Sequence, residues 1–147
     1  MTDLHVSACG ARTPRPARQV EVFAEFLELL RPDVLHHGDC TGADEEAFSV
    51  ARDMGIRTVA HPPSCGTWRA YTESDEILPA KGFLERDRDI VNAGAALLAM
   101  PAGRTPGPHS GTWYTISYCL SRVTWRPVYY AWPDGTADWP RIGSGNL

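Results

Sequence analysis

The chain has 147 residues, 43% of them hydrophobic and 22% charged, with a formal net charge of -4. That length suffices for one domain with a real core, and the composition is that of a soluble globular protein. It excludes a membrane-spanning helix, because no apolar run nears the ~20 residues one requires. It also weighs against nucleic acid, because the basic residues form no stripe beyond Arg12, Arg15 and Arg18.

The start of the chain lacks a basic segment followed by an apolar one, so a cytoplasmic protein is expected. Cys9, Cys40, Cys65 and Cys119 contain no Cys-x-x-Cys pair, which points away from a zinc ribbon or a redox motif. His61 and Cys65 have a spacing a zinc site can use, but one too common to carry weight. No metal and no cofactor is expected.

In chain order, residues 4–9 read as a buried strand, and Gly10-Ala11-Arg12-Thr13 turns away from it. Val22, Phe23, Phe26, Leu27 and Leu30 share a helical face that Arg31-Pro32 ends. Val34-Leu35 opens a second strand. Ala43, Ala47, Phe48, Ala51 and Met54 then recur near helical spacing up to Gly55, a suitable C-cap. Residues 57–61 form a third strand and residues 64–82 an irregular connection, long enough to suggest function or flexibility. Its Trp68, Arg69 and Tyr71 either cover a flat ligand or seal the sheet edge. Phe83, Leu84, Ile90 and Val91 mark the inward side of a third helix, and residues 95–100 a strand buried on both faces. A Gly/Pro-rich loop carries His109. A fourth helix begins at Ser110-Gly111-Thr112 with Trp113, Ile116 and Leu120 at core spacing. Residues 126–132 are a fifth strand, and 133–147 a polar tail.

Two strand-to-helix turns concentrate the chemistry. The first is His36-His37-Gly38-Asp39-Cys40-Thr41-Gly42-Ala43-Asp44, the second His109-Ser110-Gly111-Thr112. Glycine lets a ligand approach the backbone, and the first turn of a helix offers unpaired N–H groups to a phosphate or carboxylate. Asp39 or Asp44 is placed to accept ribose hydroxyls, although an acid in the first turn of a helix is also favoured by the dipole. His36 and His37 point to opposite sides of a strand and cannot act as a pair. In a parallel sheet both turns open on the carboxyl edge, where ligands sit.

The HGDCTGAD turn, the FLERDRDIVNAG helix, the LLAMP strand and the SGTWYTI helix start occur in the order and spacing of the SLOG superfamily. This superfamily includes the Lonely Guy phosphoribohydrolases and the DNA-processing protein A family, and the likeness is greatest to small stand-alone members with an HGxCxGAD turn. The resemblance spans residues 4–132. It implies a single α/β, Rossmann-like, three-layer domain over residues 1–132, with about five parallel strands ordered 3-2-1-4-5 between helices. Residues 133–147 remain a tail. It also implies a nucleotide-derived ligand whose phosphate or ribose is held by Gly38, Asp39, Thr41, Gly42, Ala43 and Asp44 on one side and by Ser110, Gly111 and Thr112 on the other. Arg12, Trp68, Arg69 and His109 are candidates to cover it.

Arg86 matches an arginine of the Lonely Guy enzymes and is the one catalytic candidate. Aligned on the glycine turn, Thr115 stands where those enzymes place the glutamate that works with it. The leading expectation is therefore a nucleotide sensor, carrier or sequestering module. The alternatives are a phosphoribohydrolase or related N-glycosidase, and a DNA-associated protein like the DNA-processing relatives. Relatives of this fold pair, so a homodimer or higher oligomer is expected, with Trp113, Tyr114, Tyr118, Trp125, Tyr129 and Trp132 as interface candidates.

Overall fold

The computed structural model describes residues 2–107 and 110–140. Strands β1 (His5–Gly10), β2 (Val34–His37), β3 (Arg57–Ala60), β4 (Glu76–Ile77), β5 (Leu97–Met100), β6 (Val128–Ala131) and β7 (Ala137–Asp138) form one sheet. Its order is β4-β3-β2-β1-β5-β6-β7. The helices are α1 (Ala17–Leu30), α2 (Ala43–Asp53), α3 (Phe83–Ala93) and α4 (Gly111–Cys119). Every pairing from β4 to β6 is parallel, and β6 with β7 is antiparallel.

The five longer strands keep the 3-2-1-4-5 order expected from the sequence. The sheet differs by a two-residue strand at each edge, giving seven strands in place of about five. β4 lies inside the connection read as irregular. β7 continues the sheet past residue 132, where the tail was expected to begin.

The central strands are buried on both faces, and successive side chains feed two different cores. Leu98 and Met100 join Phe23, Phe26 and Leu27 of α1 and Ala47 and Ala51 of α2. Leu97 and Ala99 face the other way and join Val91 of α3 with Ile116 and Cys119 of α4. Phe23, Leu27, Leu35 and Leu98 have no exposed surface, so each contributes about 1.5–3 kcal/mol. The one polar group set deep in α1, Gln19, donates its Nε2 to the carbonyls of Pro101 and Ala131, each at 2.8 Å. It ties the ends of β5 and β6 together.

Two residues expected to face inward do not. Leu84 is 55% and Leu120 44% exposed. The inward face of α3 runs through Arg86, Asp87, Ile90 and Val91, which leaves Leu84 outside it. Leu120 follows the last residue of α4 as its C-cap. Most of the aromatic set expected at an interface packs within the chain. Trp113, Tyr130 and Trp132 stack on one another, Tyr129 meets Phe26 edge-on, and the hydroxyls of Tyr114 and Tyr118 bond Arg88 and Asn92. Among the described residues no helix is long and apolar enough to cross a membrane.

Candidate functional site

A cleft of about 530 Å³ opens beyond the carboxyl ends of β1, β2 and β5, where the parallel sheet changes its winding direction. The β1–α1 loop contributes Ala11 and Arg12, the β2–α2 turn Gly38, Cys40 and Asp44, α3 Arg86 and Asp87, and the start of α4 Ser110, Gly111 and Thr112. The two glycine turns therefore border one volume. They do not contribute in the same way.

The first turn spends its donors on the protein itself. The amide of Thr41 donates to the Trp68 carbonyl at 2.8 Å and that of Ala43 to the Ala11 carbonyl at 2.9 Å. The Cys40 amide donates to Asp44 Oδ2 at 3.1 Å, and Thr41 Oγ1 to the Arg12 carbonyl at 2.9 Å. Thr41, Gly42 and Ala43 thus brace the loop after β1, and none of them lines the cleft. Gly42 has φ +84°, and a Cβ there would meet the carbonyl oxygens of Ala11 and Thr13. Gly42→Ala is accordingly expected to cost about 2–3 kcal/mol, read as a lower urea midpoint; an unchanged midpoint would contradict this account of the turn.

Asp39 also departs from the expected ligand role. It is fully buried with φ 54°, a conformation aspartate tolerates better than most residues. It accepts from Arg69 Nε at 3.0 Å and from the amide and hydroxyl of Thr72 at 2.9 and 2.8 Å. These bonds fasten the connection after β3. Arg69 is consumed by that ion pair, and neither it nor Trp68 lines the cleft.

Among the described residues the second turn differs. Ser110 is the N-cap of α4 and accepts from the Trp113 amide at 3.2 Å. The amides of Gly111 and Thr112 have no acceptor among the described residues, and both residues border the cleft. His109 lies outside the described residues.

The floor is ionic. Arg86, 7% exposed, donates through Nη1 to the Gly38 carbonyl and to Cys40 Sγ, and pairs through Nη2 with Asp87 at 3.0 Å. Its buried Nε has no partner among the described residues. Gly38 must be a glycine here, because a Cβ would fall on Arg86 Nη1 and Asp44 Oδ2. Burial pushes the Asp44 carboxyl up to about 6, against the pull of Arg86, and burial raises Asp87 as well. One guanidinium thus faces two reluctant carboxylates.

Helical spacing points Glu85, Asp87 and Asp89 in different directions. The three do diverge: Glu85 and Asp89 meet Lys81 at the surface. Asp87 turns inward beside Thr115. Its signal was the inward stripe of α3, in which Arg86 and Asp87 fall between Phe83 and Ile90. Cys9 and Cys40 border the cleft too, but burial raises both thiols, which makes them poor nucleophiles. Among the described residues no group of three or more His, Cys, Asp or Glu is placed to hold a metal ion.

The four described histidines lie apart from the cleft. His36 meets His5 at 2.8 Å and His61 at 2.9 Å, ring nitrogen to ring nitrogen. His37, on the other face, accepts from the Asp39 amide at Nδ1 and meets Ser74 at 2.8 Å through Nε2. Burial lowers His36, His37 and His61 each to about 4.

No protein-family model and no curated protein matches the chain. Solved structures do. The molybdenum cofactor binding protein from the phototrophic bacterium Rippkaea orientalis aligns at 18% identity and TM-score 0.67, over 88% of this chain and 77% of that one. The Moco carrier protein from Chlamydomonas reinhardtii aligns at 21% identity and TM-score 0.63, over 91% and 80%. DNA processing protein A from Streptococcus pneumoniae aligns at 18% identity and TM-score 0.65, over 87% of this chain and half of its own. At such identities the likeness is one of fold: the chain has the Rossmann-like α/β fold that these cofactor-binding proteins and DNA processing protein A display.

Proposed function

We propose that the chain binds a small phosphate-bearing heterocyclic molecule in this cleft and serves as its carrier or sensor. The ligand is a nucleotide, or a cofactor of the kind bound by the molybdenum cofactor proteins that share the fold. The observation that carries the reading is the shared volume. Gly111 and Thr112 at the start of α4 and Arg12 border one cleft, so a helix N-terminus and a cationic residue share the place where an anion fits. Within this proposal Ser110, Gly111, Thr112 and Arg12 hold the anion, while Gly38, Asp44 and Arg86 form the floor.

Calorimetric titration with purine mononucleotides, cyclic nucleotides, ADP-ribose and the molybdenum cofactor tests it. Binding of at least one ligand, weakened tenfold or more by Arg12→Gln, is expected. Folded protein that binds none of them would overturn the proposal.

A second reading is favoured by Asp87, because it restores to Arg86 the carboxylate that Thr115 had left missing. In an N-glycosidase of this design, water would form the new bond to the sugar carbon as the bond to the base breaks. Asp87 would take the water's proton, and Asp44, part-protonated near neutrality, would give one to the departing base. Release of free base from a mononucleotide, abolished in Asp87→Asn with binding kept, would establish it. Binding without release excludes it.

Pairing of two copies remains part of the proposal. Of the aromatic residues expected at the interface, Trp125, 55% exposed, is the side chain most open to a partner.

A further inference from the structure

The two arginines of the cleft share an aromatic ring. The guanidinium of Arg12 lies over Phe83 with its carbon 4.5 Å from the ring centroid, and that of Arg86 lies 5.4 Å from the same centroid. Arg12 also lies 5.9 Å from the ring of Trp68. Phe83 is the first residue of α3, only partly buried, and belongs to neither hydrophobic core. Packing alone does not account for it.

The two cations differ in what surrounds them. Arg86 is neutralised by Asp87 and faces Asp44. Arg12 has no ion pair and no side-chain hydrogen bond among the described residues, yet it borders the cleft. An aromatic face attracts a cation without cancelling its charge. The backbone beneath is fixed as well, since the carbonyls of Ala11 and Arg12 accept from Ala43 and Thr41. Arg12 is therefore held by rings and backbone while its charge and donors stay unspent.

We infer that Phe83 is a positioning residue that holds Arg12 as a preformed receptor for the anionic group of the ligand. The inference rests on the proposed reading of the cleft and adds to it a residue that touches no ligand. It also makes the group Arg12 receives a phosphate or similar compact anion. Holding the side chain in place before binding removes part of the entropy cost of fixing a long cation.

The test uses the full chain and inorganic phosphate, with arginine Nε–H resonances followed by NMR. Without phosphate, the Arg12 resonance should be displaced by the ring current and return toward an ordinary position in Phe83→Leu. On titration, phosphate should shift Arg12 in the unsubstituted chain. Phe83→Leu should weaken binding about two- to fivefold, Phe83→Tyr should restore it, and Arg12→Gln combined with Phe83→Leu should lose no more than Arg12→Gln alone. Equal phosphate affinity in the unsubstituted chain and Phe83→Leu would overturn the inference and leave the cleft reading standing. A further loss in the double variant would make Phe83 merely structural and overturn it equally. Phosphate that shifts no cleft resonance at all would overturn both. Should Phe83→Leu not fold, Phe83→Met replaces it: a two- to fivefold loss of phosphate affinity upholds the inference, and an affinity equal to that of the unsubstituted chain overturns it.

Discussion

Arg86→Ala is expected to destabilise the fold by about 3–5 kcal/mol at neutral pH, because it leaves two buried carboxylates without their cation. For a chain of this size that is a fall of about 10–15 °C in Tm. Arg86 is 7% exposed and Asp44 and Asp87 are 7% and 5% exposed, so water cannot take over the pairing. The loss should be larger at pH 8 than at pH 5.5. Asp44 already sits near 6 and Asp87 above its ordinary range, and both take up protons readily as pH falls. Replacing the group as a whole, with Arg86→Met, Asp44→Asn and Asp87→Asn together, should recover much of the loss. A drop of less than about 3 °C at pH 8, judged against the same scaling, would show that the floor is not a paired ionic unit. One consequence is practical: loss of any activity in Arg86→Ala cannot be assigned to catalysis without a melting curve beside it.

Mild acid should destabilise the protein, with Tm falling by about 5–12 °C between pH 7.5 and 4.5. His36, His37 and His61 each titrate near 4 in the fold against 6.5 when free. Between those values the unfolded chain binds protons that the folded chain refuses. Stability is therefore full above about 6.5, falls as pH drops through the window, and levels off below 4. Each shift is worth at most about 3 kcal/mol. The effects do not simply add, because His36 and His61 share a hydrogen bond. A row of three neutral rings can pass one donor along it, whereas a second proton sets two N–H groups against each other. Asp44 works in the opposite sense: its raised carboxyl restores about 3 kcal/mol as pH falls from about 6 to its ordinary range. Asp87 adds in the same direction. Three histidines outweigh these acids, and the net loss is expected to be about 3 kcal/mol. A Tm equal or higher at pH 4.5 would contradict the balance, and His36→Gln should flatten the slope.

The strands and helices were legible because their signals are local. The run from Ala95 to Met100 is apolar throughout and its Leu97–Met100 part is buried on both sheet faces, and Val22, Phe23, Phe26 and Leu27 carry a helical stripe that reaches the core. β4 and β7 were not legible. Two residues carry no periodicity, and each of these strands exists through the edge it joins, Val59-Ala60 for β4 and Tyr130-Ala131 for β7. The cleft was legible in its outline, since Gly38, Asp44, Arg86 and the start of α4 do border one volume. The roles inside it were only partly so. That the amides of Thr41 and Ala43 are already satisfied depends on carbonyls of Trp68 and Ala11 delivered by distant loops, and no local pattern reveals that. Asp39 read as a ligand group for the same reason, because its partners Arg69 and Thr72 lie some thirty residues on.

The central claim is that a phosphate-bearing small molecule occupies the cleft between Arg12 and the start of α4. Mapping amide chemical shifts of the full chain during titration with a mononucleotide tests it most directly. The account predicts changes concentrated at Gly38, Cys40, Arg86, Gly111 and Thr112, with little at the groove formed by Trp125 and Trp139 on another part of the surface. Changes centred on that groove, or none in the cleft across the whole panel of nucleotides and cofactor, would contradict it.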